Sequence, residues 1–138
     1  MEKLEHIGIA VKNIDTANRL FANLLGREPY KVEEVESEGV RTSFFEISGV
    51  KIELLEATRD DSPIAKFIEK RGEGIHHLAF EVKNMEQSLE LYQQKGFELI
   101  NPVPKKGADN KMICFLHPRS TQGVLIELCQ DLTASSSH

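Results

Sequence analysis

Two stretches of this chain repeat one another. HIGIAVKN, residues 6 to 13, and HLAFEVKN, residues 77 to 84, each open on histidine, run through apolar or small residues and close on Val-Lys-Asn. Duplication of this kind limits the fold, because one copy alone can bury its sheet face only poorly. Two copies are therefore expected to share a core. After Asn13 the apolar residues Ala17, Leu20, Phe21, Leu24 and Leu25 follow helical spacing until Gly26, and after Asn84 so do Met85, Leu89 and Tyr92 until Gly96. Both asparagines suit a helix N-cap and both glycines a left-handed C-terminal position.

Three strand-like runs then follow in each half. In the first they are residues 28 to 36, VRTSFFEI at 40 to 47 and VKIELLEA at 50 to 57; in the second, FELI at 97 to 100, KMICFLH at 111 to 117 and GVLIELCQ at 123 to 130. The intervening DDSPIAKFIEKRGEG reads as one more helix, with Ser62 as N-cap, Pro63 at the first position and Gly72 at the exit. The expected architecture is α+β: two βαβββ modules, about 4 to 57 and 74 to 130, joined by a helical linker at 58 to 73. They form one curved eight-stranded mixed sheet in a single domain over 1 to 133, with a disordered tail at 134 to 138.

Composition narrows the functional classes. With 138 residues, 40% of them hydrophobic and 28% charged, the chain has enough apolar material for a core. A formal net charge of -5, with its cations scattered among acids, provides no basic stripe for nucleic acid. No apolar run reaches membrane-spanning length and MEKLEH is too charged for a secretory signal, so a cytoplasmic protein without a membrane partner is expected. Cys114 and Cys129, inside apolar runs, read as reduced buried thiols rather than a disulfide framework.

The repeat also singles out polar residues. The first strand of each half carries His6 or His77, and the last carries Ile-Glu-Leu, making Glu53 and Glu127 counterparts. Alternation turns each glutamate to the face opposite its apolar neighbours. If the four converge, two imidazoles and two carboxylates suit a divalent first-row ion such as Co, Ni, Mn, Fe or Zn. His76 then points to the other face of its strand, and His117, before Pro118, reads as a turn or substrate-loop residue. The acidic stretch Glu33, Glu34, Glu36 and Glu38 suits a solvated strand edge, while Glu46 and Glu56 end strands. Lys105, Lys106, Lys111 and Arg119 flank two glycine-containing loops; they are either solvated or a clamp for phosphate groups.

LEHIGIAVKNID, IELLEATRDDSPIAKFIEKRGEGIHHLAFEV and FLHPRSTQGVLIELCQ together resemble the vicinal oxygen chelate superfamily, and within it the methylmalonyl-CoA epimerases, over about residues 4 to 130. The resemblance implies a glyoxalase-like fold around a central metal, cobalt first among the candidates, with His6, Glu53, His77 and Glu127 as ligands. It implies methylmalonyl-CoA as substrate and a homodimer. In some members Gln stands in place of Glu53 and a separate glutamate acts as a base, at a position occupied here by Thr42. A threonine hydroxyl is no base near neutral pH, so Glu53 is expected to take that role.

The implied reaction removes the C2 proton next to a thioester and returns it on the other face through a metal-stabilised enolate. Glu127 is the first base and Glu53 the second, Thr42 bonds a substrate oxygen, and Lys105, Lys106 and Arg119 meet the coenzyme phosphates. A glyoxalase I-type lactoylglutathione lyase shares the ligand set and the enolate chemistry. A non-catalytic small-molecule-binding protein shares the fold.

Overall fold

Asn13 ends the first alternating run and starts a helix: its Oδ1 accepts the Thr16 N–H at 2.9 Å, satisfying one of the amides that a helix start leaves unpaired. In the computed structural model, which describes residues 3–132, this helix, α1 (Ile14–Leu25), follows β1 (Lys3–Ala10). Strands β2 (Lys31–Val35), β3 (Val40–Ile47) and β4 (Val50–Ala57) come next, then helix α2 (Pro63–Arg71). Ser62 caps α2 through the Ile64 N–H at 3.1 Å. The second half repeats the plan with β5 (Gly74–Glu81), α3 (Met85–Gln94), β6 (Lys105–Lys106), β7 (Lys111–Leu116) and β8 (Ile126–Asp131). Asn84 caps α3 through the Gln87 N–H at 3.0 Å. The α+β class and the doubled βαβββ plan are as the sequence led us to expect.

Contacts divide the chain into two units, one of His6–His76 and the other joining His77 onward to the residues up to Glu5. Strand order is β2-β3-β4-β1 in the first half and β5-β8-β7-β6 in the second. Within the first, β4 runs parallel to β1 and antiparallel to β3; within the second, β8 runs parallel to β5 and antiparallel to β7. Each half thus closes its first strand against its last by a parallel pairing, which the intervening helix makes possible.

Each helix covers one sheet face. Ala17, Phe21 and Leu25 of α1 pack on Ile9, Val11, Phe45, Ile52 and Leu54. Met85, Leu89 and Tyr92 of α3 pack on Val82, Cys114, Leu116 and Leu128. Burial of such side chains stabilises the fold by about 1.5–3 kcal/mol each. The opposite face of the first half is covered at one end by α2, where Ile64, Phe67 and Ile68 meet Ala10, Val40 and Leu55. Cys114 and Cys129 are both buried and free. No helix among the described residues is long and apolar enough to cross a membrane.

Several boundaries differ from the sequence expectation. The strand expected at 28 to 36 is confined to Lys31–Val35 and gives way to a 3-10 turn at Glu36–Glu38. FELI at 97 to 100 is no strand; it forms one isolated bridge, Leu99 to Leu116, because Phe97 and Leu99 turn onto the α3 core. Pro102 and Pro104 then interrupt the ladder, since proline brings no N–H. The first of the three strands after α3 is instead the short β6, in a stretch read from sequence as loop. Residues 121 to 123 form a turn, with the Gly123 N–H donating to the Pro118 carbonyl at 2.8 Å, and β8 begins only at Ile126. Leu20 and Leu24 are exposed: at about 100° per residue they fall to one side of the Ile14–Phe21–Leu25 line that faces the sheet. The tail expected at 134 to 138 lies outside the described residues.

Gly39 closes the 3-10 turn at φ 63, and a Cβ there meets the Arg59 guanidinium carbon at 3.0 Å. Arg59 is itself held by the Glu36 carbonyl and by Asp61. Gly39→Ala is expected to destabilise the protein by about 1–2 kcal/mol, read as a lower midpoint in urea denaturation with an unchanged slope.

Candidate functional site

On the face away from α1, β1 and β4 bring a histidine and a carboxylate together. Their parallel register sets Gly8 beside Glu53 and His6 beside Lys51, so His6 and Glu53 stand diagonally on one face. Gly8 has no side chain to fill the space between them. His6 Nδ1 lies 3.2 Å from Glu53 Oε2, and both side chains are buried. The second half builds the same pair by the same register: Ala79 stands beside Glu127, and His77 Nε2 lies 3.3 Å from Glu127 Oε1, again buried.

Two features of this construction were not drawn from the sequence. A small residue follows each histidine by two positions, in His-Ile-Gly and His-Leu-Ala, and it is what opens the diagonal. A phenylalanine stands across from each glutamate, Phe44 beside Glu53 and Phe115 beside Glu127. The Phe115 ring meets the His77 imidazole edge-on at 5.9 Å. Each pair therefore sits in a water-poor, partly aromatic setting.

The donor sets fit a metal ion. Ligands about 2.1 Å from an ion and adjacent in its shell stand about 3.0 Å apart in octahedral and about 3.4 Å in tetrahedral geometry. The separations of 3.2 and 3.3 Å fall between these values. A buried imidazole and carboxylate in each half are also what divalent first-row ions bind. His76, the neighbour of His77, takes no part: its ring packs edge-on against Phe67 at 4.9 Å, and burial lowers its pKa to about 4.

The remaining residues singled out by sequence are scattered. Thr42 is buried on β3. Lys105 and Lys106 form β6, exposed at the outer strand of their half. Arg119 is forked onto the Glu98 carboxylate, with Nη2 to Oε2 at 2.6 Å and Nε to Oε2 at 3.0 Å; this pairing lowers the Glu98 pKa and raises that of Arg119. Lys111 is no loop cation: it starts β7, is buried, and its Nζ lies 3.9 Å from Glu5 and 3.7 Å from Asp131. His117 is a turn residue as expected, accepting the Arg119 N–H on Nδ1 at 3.1 Å. Glu33 and Glu34 are edge residues paired with Lys31 and Arg41, and Glu56 accepts the Ile14 N–H at 3.0 Å.

Residues 5–115 match the profile of the Glyoxalase/Bleomycin resistance/Dioxygenase superfamily. The chain belongs to this superfamily. It is 42% identical, over 94% of its length and 93% of the relative's, to the uncharacterized protein YqjC of Bacillus subtilis. It is 37% identical to the mitochondrial methylmalonyl-CoA epimerase of Dictyostelium discoideum, over 91% of this chain and 76% of that one. A variant of Streptomyces coelicolor methylmalonyl-CoA epimerase, solved in complex with 2-nitronate-propionyl-CoA, superimposes with a TM-score of 0.89 at 32% identity over 96% of both chains. The superfamily assignment agrees with the doubled βαβββ plan.

The His76 environment has a measurable consequence. The unfolded chain takes up a proton near the ordinary value of 6.5 that the folded chain refuses down to about 4. Between those values the unfolded state holds more protons, so this residue's contribution lowers stability as pH falls through the window. By NMR titration, the His76 ring resonances are expected to stay at their neutral positions from pH 7.5 to about 5.

Proposed function

We propose that the chain is a metal-dependent methylmalonyl-CoA epimerase, with His6, Glu53, His77 and Glu127 holding one divalent ion and with Glu127 and Glu53 as the two proton-transfer groups. The observation that carries this reading is the pair of matching His–Glu contacts, each buried and each spaced for adjacent ligands of one ion. The named relatives supply the substrate class. A bound ion supplies a Lewis acid for charge that develops on the thioester oxygen; cobalt heads the candidates, with Ni, Mn, Zn and Fe behind it.

The chain's own groups account for the rest. Glu127 removes the C2 proton from one stereoisomer and Glu53 from the other, each returning it as the acid in the reverse direction. Lys105 and Lys106 meet the coenzyme phosphates from the exposed strand β6. Arg119 joins them only by leaving Glu98, so its contribution is the smallest of the three. A homodimer, implied by the family resemblance, and a cytoplasmic location, expected from the sequence's apolar runs being too short to span a membrane, belong to the same reading.

The test is exchange of the C2 proton of methylmalonyl-CoA in heavy water. Chelated protein is expected to be inactive and to recover with added cobalt. Rapid turnover of a glutathione hemithioacetal without exchange on the CoA ester replaces this reading by the lyase. His77→Ala is expected to lose bound metal and His76→Ala to keep it, by elemental analysis of purified protein; equal loss in both contradicts the ligand assignment.

The two glutamates are separable by stereochemistry. Glu53→Gln leaves an oxygen donor but no base, so exchange is expected to fall by about 100-fold or more for one stereoisomer and to persist for the other. Glu127→Gln has the opposite bias. Wild-type rates for both stereoisomers in Glu53→Gln reduce Glu53 to a ligand only.

A further inference from the structure

The Thr42 hydroxyl is the one buried side-chain polar atom without a hydrogen-bond partner among the described residues. Thr42 is 1% exposed, so its hydroxyl lies out of contact with bulk solvent. Leaving a buried hydroxyl unpaired opposes folding, and valine fills the same volume without that penalty. Packing therefore does not explain a threonine here, and a buried orphan donor points to a partner that arrives from outside the chain.

The register shows what such a partner meets. Thr42 stands beside Leu55 and Phe44 beside Glu53 across β3 and β4, so Thr42 shares the face of Glu53 and lies diagonal to it, about 7–8 Å away residue to residue. By the register with β1, His6 and Ala10 belong to that face too. Its other buried side chains, Ala10, Val40, Phe44 and Leu55, are apolar. Apart from the two candidate ligands, Thr42 is the buried group on this face that can donate a hydrogen bond.

We infer that Thr42 is a specificity-determining residue: its hydroxyl donates to the free carboxylate of the substrate and so selects a 2-carboxyacyl thioester. This deepens the proposed function and rests on it for the substrate. A carboxylate is favoured over the thioester carbonyl because a hydrogen bond to a full charge is roughly twice as strong as one to a neutral acceptor. The apolar surroundings sharpen the difference, since no solvent competes for the charge. Thr42 thus contributes binding and orientation at the place where some relatives carry a base, and Glu53 beside it retains the proton transfer.

Thr42→Val and Thr42→Ser in the metal-loaded protein test this. Thr42→Val is expected to raise the thermal midpoint of the ligand-free protein by a few degrees, roughly as removal of an orphan polar group does. The same change is expected to raise KM for methylmalonyl-CoA by about 10-fold or more, and Thr42→Ser to restore it to within about threefold. A purely structural hydroxyl gives the opposite first result, a lower midpoint, and that outcome overturns the inference, as does an unchanged KM in Thr42→Val. If the wild-type protein does not exchange methylmalonyl-CoA, the functional reading fails separately, and thermal stabilisation by free methylmalonate becomes the readout for Thr42. Stabilisation of wild type that is lost in Thr42→Val then supports the carboxylate contact; equal stabilisation of both, or none of either, overturns it.

Discussion

A β-strand presents alternate side chains to opposite faces, and here that alternation separates packing from chemistry. In Ile52-Glu53-Leu54 the two apolar residues go under α1, which leaves Glu53 on the other side to meet His6. In Ile126-Glu127-Leu128 the same division sends Leu128 into the α3 core and Glu127 to His77. The helices thus fix the carboxylates without touching them. A register slip of one residue exchanges the two faces, burying each glutamate under a helix and exposing its apolar neighbours. Correct packing and a correct site are consequences of one alignment.

That alignment also explains how two buried acid–base pairs are tolerated. Removing charges from water is costly unless they are paired and further satisfied. Each pair begins with mutual contact, made possible because Gly8 and Ala79 leave the diagonal clear. A divalent ion held by these groups, as proposed above, would supply further compensation. The contrast with His76 is instructive: a half-buried imidazole with an aromatic ring against it has its pKa pushed down to about 4 by desolvation. Proximity in sequence to His77 counts for nothing once strand alternation has turned the ring away.

The two halves have diverged around a common frame. Two residues before the phenylalanine beside each glutamate stands Thr42 in the first half and Ile113 in the second. One offers a donor, the other only apolar surface. Beyond them, α2 covers Ala10, Val40 and Leu55 in the first half, whereas the second carries the cation Lys111 between Glu5 and Asp131.

The repeat alone determined the modules, both helix caps and which histidine and glutamate of each half belong together, because periodicity and capping are local properties written residue by residue. Family resemblance added the expected chemistry. What the tertiary structure decided concerns partners distant in sequence. Phe97 and Leu99 look like a strand in isolation, but the α3 core claims them and the prolines beyond shift the edge strand to Lys105–Lys106. Lys111 and Arg119 look like free loop cations until folding sets carboxylates from distant positions beside them, Glu5 and Asp131 for the one and Glu98 for the other. The clear diagonal beside each glutamate and the unmet Thr42 hydroxyl depend on strand register, a relation between strands that no single segment contains.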